Sequence, residues 1–320
     1  MNRRKPKALY YDILKYHESS LALLKEHFDV VTLPDPSFDR PDLLSGVEAL
    51  IAPLGFDCGR EKIDACPDLK VIGSNTTGEP HIDRVYAESK GIRVVSLMND
   101  HEFLSSITPT AEHTWGLLLA VTRRVPWAFA SVLGGTWSRW EFGGSQMLSR
   151  MALGIVGMGR LGRMVARYGV AFGMKVRFFD PYVRECGMAG VENTHSLQSL
   201  VEASDVVTIH VPLNRETTSL IDRDLLSRFK HGAYLINTSR AEIVDEDGLL
   251  RALEGGKLSG AGVDVIGGEF SMGFRPGGHP LVEYARNHQN LVITPHIGGS
   301  TRDAWSMTQV RTVEKMCACF

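Results

Sequence analysis

MALGIVGMGRLGRMVARYGVAFGMKVRFFD, residues 151–180, decides the fold. An apolar run with the length of a strand leads into Gly157-Met-Gly159-Arg-Leu-Gly162. A helical stretch, RLGRMVARYGVAF, follows, and a second β-rich run, KVRFFD, ends at Asp180. G-x-G-x-x-G alone is a weak signal. Between a strand and a helix it fits a dinucleotide-binding turn. The glycines let the backbone turn tightly and approach a pyrophosphate, and the helix N-terminus offers free N–H groups and a partial positive charge. A carboxylate about 20 residues on, at the end of the second strand, suits the ribose 2′-OH of NAD and repels the 2′-phosphate of NADP.

Downstream, DVVTIHV, AYLINTS, GAGVDV and NLVIT read as further strands, and SLQSLVEAS, DRDLLSRF and DEDGLLRALEGG as crossover helices. Six strands make a complete doubly wound α/β domain. Its expected order is 3-2-1-4-5-6, with ligands outside the carboxyl ends of the strands at the switch point. Upstream, ALYYDI, FDVVTL, EALIAP, LKVIGS and IRVVSL alternate with helical ESSLALLKEHF and HIDRVYAESKG, the latter closed by Gly91. That is a second, smaller parallel α/β unit. TPTAEHTWGLLLAVTRRVP reads as one long helix that Thr110 caps and Pro126 ends, before a Gly/Trp-rich connection, LGGTWSRWEFGG. There is no internal repeat.

Composition sets the outer limits. At 320 residues the chain suits two domains, and 43% hydrophobic with 22% charged residues describes a globular protein. A formal charge of −2 gives no reason to expect nucleic acid or an acidic membrane as partner. The basic start, MNRRKPK, is not followed by the apolar segment of a signal peptide, and WGLLLAV is too short to span a bilayer. Cys58, Cys66, Cys186, Cys317 and Cys319 are odd in number and show no zinc spacing. They imply a reducing, cytoplasmic setting and no metal. The terminal CACF has the form of a prenylation box and is read as the end of a last helix.

The strand ends carry the chemistry. Arg240 follows AYLINTS, Asp264 and Glu269 lie in and after GAGVDV, and His296 follows NLVIT in ITPHIGG. Each alone has an ordinary structural reading. Together they suit hydride transfer at a carbonyl beside a carboxylate. A His serves as proton donor to the oxygen, a neighbouring carboxylate orients the imidazole and favours its cation, and an Arg offers a planar fork to a substrate carboxylate.

The stretches GIVGMGRLGRMVARYGVAFGMKVRFFDPY, DVVTIHVPLNRETTSLIDRDLLSRFKHGAYLINTSRAEIVDEDGLL and NLVITPHIGG resemble the D-isomer-specific 2-hydroxyacid dehydrogenases, well over about residues 69–310. The resemblance implies an NAD-dependent oxidoreductase with Arg240, Glu269 and His296 as catalytic groups. It implies a substrate loop in SNTTGEPHID, where the amides of Asn75, Thr76, Thr77 and Gly78 hold the substrate carboxylate. Cofactor contacts would fall on Thr77, Gly157, Gly159, Arg160, Leu161, Gly162, Asp180, Val211, Pro212, Thr217, Thr238, Ser239, Asp264, Gly298 and Gly299. A discontinuous substrate domain, residues 1–101 with 297–320, would flank a cofactor domain, 102–296, with the active site in a closing cleft. A homodimer through the cofactor domain, with the helix near 108–126 taking part, is also implied.

The chain departs from the family pattern in several places. Ala241 stands where Gly is usual, and Phe270 where Pro is usual. The loop EFSMGFRPGGH, Glu269 to His279, is about four residues longer, and the closing strand usual after the last helix is not expected here. Pro53 and Ser74 occupy places where phosphoglycerate dehydrogenases carry arginines, so an unphosphorylated substrate with a polar or extended tail is expected, with Arg275 the one residue placed to supply a phosphate contact. Phosphoglycerate dehydrogenase and glyoxylate/hydroxypyruvate reductase remain alternative activities. Glu269 argues against a formate dehydrogenase, which has Gln beside its His. An NAD(H)-sensing protein of the corepressor type is the alternative of another class.

Overall fold

The computed structural model describes residues 4–271 and 273–320; Met1–Arg3, the start of the basic MNRRKPK segment, and Met272 of the long loop lie outside the described residues. The chain divides into two compact units, one running to Ile107 and including Ser300–Phe320, the other Thr108–Gly299.

The first unit is built on five parallel strands, β1 (Lys7–Tyr11), β2 (Asp29–Leu33), β3 (Ala49–Ile51), β4 (Val71–Gly73) and β5 (Arg93–Val95), in the order β2-β1-β3-β4-β5. Both faces are covered, which is why β1 reads as a continuous apolar run. Ala8 and Tyr10 face one core with Val313 and Met316 of the last helix, while Leu9 and Tyr11 face another with Leu50 and Ile72. That helix, Arg302–Cys317, sits close because β4 ends in glycine. A Cβ on Gly73 would lie 2.4 Å from the Met316 sulfur.

The second unit carries seven strands: β6 (Ala152–Val156), β7 (Lys175–Phe179), β8 (Val191–Asn193), β9 (Val206–Ile209), β10 (Ala233–Asn237), β11 (Leu258–Val263) and β12 (Leu291–Ile293). They are parallel, in the order β12-β11-β10-β9-β6-β7-β8. The order corrects the six-strand reading. DVVTIHV, expected third and beside KVRFFD, is the fourth strand and pairs with β6 and β10. The third place belongs to VEN, three largely exposed residues with no apolar pattern to reveal them. The switch point therefore lies between β6 and β9.

Two helix boundaries also differ. The long helix is Pro109–Thr122, with Pro109 in its first position after Thr108, so Thr110 lies inside it. It stops where Arg124 turns left-handed (φ +56°), and Pro126 sits in the first turn of a second helix, Val125–Leu133, where the missing N–H has no helical role. Pro280–Asn287, a further helix between β11 and β12, opens the same way. The unit boundaries fall at 107/108 and 299/300 rather than at 101/102 and 296/297. Asp100 accepts from Arg311 Nε at 2.6 Å, which ties the following short helix, His101–Leu104, into the first unit. The amides of Ile297 and Gly298 are tied to Asp264 in the second. Among the described residues no single helix is long and apolar enough to cross a membrane.

Candidate active site

All seven strands of the second sheet are parallel, so their carboxyl ends share one edge. Along it lie the glycine turn after β6, Asp180 after β7, Val211 after β9, Arg240 after β10, Asp264 after β11 and His296 after β12.

The three glycines of the turn have different tasks. Gly157 has φ +92°, and a Cβ there would lie 2.7 Å from the His210 carbonyl oxygen, so the turn packs on the end of β9. A Cβ on Gly162 would fall 2.1 Å from the Gly157 oxygen, so the helix Arg160–Ala171 starts against the strand it leaves. Gly159 faces open space. This cradle fits a pyrophosphate, which needs backbone approach at the second glycine and the free amides of a helix start. Arg160 and Leu161 stand half-buried on the first turn. Asp180 is fixed by three amides: Met158 N donates to Oδ2 at 2.8 Å, and Tyr182 N and Val183 N donate to Oδ1 at 2.8 and 3.1 Å.

The other expected cofactor residues are shaped by their own bonds. Thr217 Oγ1 donates to the Pro212 carbonyl (2.6 Å) and closes the turn after Val211. Thr238 is buried, with its hydroxyl 2.7 Å from that of Thr114, and Ser239 Oγ donates to Ile209 O (2.8 Å). Arg240 spends one Nη1–H on Ser239 O (2.7 Å), and its own carbonyl accepts from Asn237 Nδ2 (2.9 Å). Among the described residues its Nε and Nη2 groups meet no protein acceptor. Ala241 opens a short 3-10 turn and needs no left-handed backbone, so the departure from Gly is sterically silent.

His296 and Glu269 come together: His296 Nδ1 lies 2.9 Å from Glu269 Oε1, and both side chains are largely buried. With Nδ1–H donating to the carboxylate, Nε2 is the atom left for a substrate. His296 has φ +52°, a left-handed backbone that costs about 1–2 kcal/mol in a non-glycine residue. Asp264, 2% exposed, holds that turn. Its carbonyl accepts from His296 N (2.9 Å), Oδ1 from Ile297 N (2.9 Å) and Oδ2 from Gly298 N (2.7 Å). Gly298 must be glycine, since a Cβ would lie 2.9 Å from Oδ2; Gly299 beyond it is exposed.

Burial alone would push the Asp264 carboxyl up. Bonds from His113, Thr294, Gly298 and Ile297 outweigh it and hold the group below the usual carboxylate range. Thr294 Oγ1 donates to Oδ1 (2.6 Å), and His113 Nε2 lies 2.8 Å from Thr294 Oγ1 and 3.3 Å from Asp264 Oδ1. Beside the glycine turn, full burial pushes the His210 imidazole down to about 3, so it is neutral; its Nε2 lies 2.9 Å from Thr208 Oγ1.

The expected substrate loop, with Thr77, belongs to the first unit. Asn75 Oδ1 accepts from the buried Tyr16 hydroxyl (2.8 Å), and Thr76 Oγ1 donates to Gly78 O (2.5 Å). Among the described residues, the amides of Asn75, Thr76, Thr77 and Gly78 donate to no protein acceptor, which leaves four successive N–H groups for an anion.

A family model for "D-isomer specific 2-hydroxyacid dehydrogenase, NAD binding domain" matches residues 115–298, nearly all of the second unit. The chain belongs to the D-isomer specific 2-hydroxyacid dehydrogenase family. The glycine turn thus lies within the family's NAD-binding domain. Among relatives, the glyoxylate reductase of Thermofilum pendens is 36% identical over 90% of this chain and 84% of its own. The D-3-phosphoglycerate dehydrogenase of Bacillus subtilis is 34% identical over 83% of this chain and 48% of its own. The chain spans about half the length of the phosphoglycerate dehydrogenases that it matches. The crystal structure of D-lactate dehydrogenase from Aquifex aeolicus, complexed with NAD and lactic acid, superposes with a TM-score of 0.82 at 31% identity, covering 97% of this chain and 94% of that one.

Sequence reasoning gave no role to His113 or Thr294, which brace the turn that carries His296. His113 sits in a helix read only for its apolar face, and nothing in AEHTWG says that its ring reaches β12. Thr294 lay in plain view beside Pro295 and was read as a strand end.

Proposed function

We propose that the chain interconverts a 2-oxo acid and a D-2-hydroxy acid, using NAD. The observation that carries this is the His296–Glu269 pair, locked on a left-handed turn at the same sheet edge as the glycine cradle and Arg240. In the reducing direction His296 Nε2–H gives its proton to the carbonyl oxygen, while Glu269 keeps Nδ1–H in place and compensates the imidazolium. NADH, when bound, supplies the hydride to the carbonyl carbon. Arg240 offers its fork to the substrate carboxylate and polarises the adjacent carbonyl. The four unengaged amides of Asn75–Gly78 are suited to an anionic group of the same chemistry. Asp180 takes the ribose hydroxyls.

The substrate is unphosphorylated. Pro53 and Ser74 are buried and uncharged, Arg84 is paired with Glu79, and Arg60 lies 3.6 Å from Asp83. A phosphate near them would find no uncommitted cation, and burying it unpaired is expensive. The relatives named glyoxylate reductase and D-lactate dehydrogenase support an acid without a phosphate. NADH oxidation with glyoxylate, hydroxypyruvate, pyruvate and branched 2-oxo acids tests both points. At least one unphosphorylated acid is turned over to its D-hydroxy product, and hydroxypyruvate exceeds phosphohydroxypyruvate in kcat/KM. More than about tenfold preference for the phosphorylated compound would overturn the substrate assignment.

The second unit pairs with a second copy through the segment 125–147. No residue of the helix Val125–Leu133 is buried, and Leu133, Trp137 and Trp140 are 73%, 90% and 85% exposed. Exposed apolar side chains of that size, close in the chain, fit a two-fold interface. Five free thiols, Cys58 and Cys66 among the buried ones, support a reducing, cytoplasmic setting.

A further inference from the structure

The loop that carries Glu269 is pinned at its base by one carboxylate. Glu246 Oε1 accepts from Gly267 N at 2.8 Å, and Oε2 lies 3.4 Å from His279 Nε2, so both ends of the segment are tied to the same side chain. Between them Phe274 packs against the core of the second unit. This fixes the residue next to Glu269. The ring of Phe270 lies 5.4 Å from the His296 imidazole, centroid to centroid, tilted by 53°. It is 42% exposed. A large apolar side chain thus stands beside the acid/base with much of its surface in water.

We propose that Phe270 is a specificity-determining residue, an apolar wall beside His296 that selects 2-oxo acids with a branched or aromatic hydrocarbon side chain over short or charged ones. This rests on the reading of His296 as the proton donor. The Phe270 ring stands 5.4 Å, centroid to centroid, from the imidazole that presents Nε2, so a substituent of the carbonyl carbon that turns toward the loop packs on that ring. A hydrocarbon side chain there is removed from water and removes part of the ring from water with it. A phosphate or carboxylate in the same place would lose hydration against an aromatic face whose quadrupole is negative. The preference is for an apolar tail rather than the polar one expected from sequence, because the ring of Phe270 stands against the imidazole.

The test compares kcat/KM with NADH for glyoxylate, 4-methyl-2-oxopentanoate, phenylpyruvate and phosphohydroxypyruvate, in the wild type, Phe270→Ser and Phe270→Leu. The wild type favours one of the two apolar-tailed acids over glyoxylate by about tenfold or more, a typical return for hydrocarbon in an apolar pocket. Phe270→Ser lowers that ratio about tenfold, and Phe270→Leu, which keeps an apolar wall, holds it within about threefold. A ratio unmoved in Phe270→Ser, or a wild type that favours phosphohydroxypyruvate, overturns the assignment while leaving the proposed reaction standing. Failure of the wild type to turn over any of the four overturns the proposed reaction, and this inference with it.

Discussion

Asp180 holds its carboxylate at the carboxyl edge of the second sheet. Its position at the end of the second strand points to a ribose partner, and the structure adds that three amides already fix both carboxylate oxygens. The side chain is therefore pre-oriented, and a 2′-phosphate would approach a fixed negative charge. Replacing Asp180 by Ser weakens NAD binding and shifts the kcat/KM ratio of NADPH to NADH upward by about tenfold or more. Asp180→Asn, which removes the charge and keeps an acceptor, separates repulsion from loss of the turn. Native preference for NADPH would contradict this assignment. Arg240, Glu269 and His296 stand out as candidates in the same way, because each follows a strand end and each is a residue type the proposed chemistry requires. Asp264 was legible as a cofactor neighbour only. Its role in holding the His296 turn depends on amides two and three residues past Pro295, which no spacing rule reveals.

At the scale of elements, legibility followed the strength of the apolar pattern. The strands that form both cores are continuous apolar runs and were found in place. VEN was not, being short, polar and half in solvent, and its absence displaced DVVTIHV by one position in the sheet order. Pro126 was taken for a stop because proline ends helices; here Arg124 ends one and Pro126 begins the next. The helix Pro109–Thr122 was recognised, but not what it does. Through His113 it reaches Thr294 and Asp264, and so braces the turn that presents His296. His113→Ala is expected to lower kcat about tenfold or more through misplacement of His296, with NADH affinity changed only a few-fold. His113→Gln, which keeps a donor of similar reach, recovers part of the loss. An unchanged kcat in the alanine variant would show that the brace is dispensable.

For the whole molecule, the exposed tryptophans carry the clearest consequence. Trp137→Ser with Trp140→Ser leaves the core of the second unit untouched, and sedimentation is expected to move from dimer toward monomer by about a factor of two in mass. A wild type that sediments as a monomer at micromolar concentration would remove the proposed interface. The central claim concerns chemistry, and one measurement bears on it most directly: single-site replacement of His296 by Ala, with NADH binding followed by fluorescence and turnover of the best 2-oxo acid followed by NADH oxidation. The expected kcat is at least about 10²-fold below wild type, with NADH binding nearly unchanged. Turnover close to wild type in that variant would contradict it, because no other group on this sheet edge has been assigned the proton.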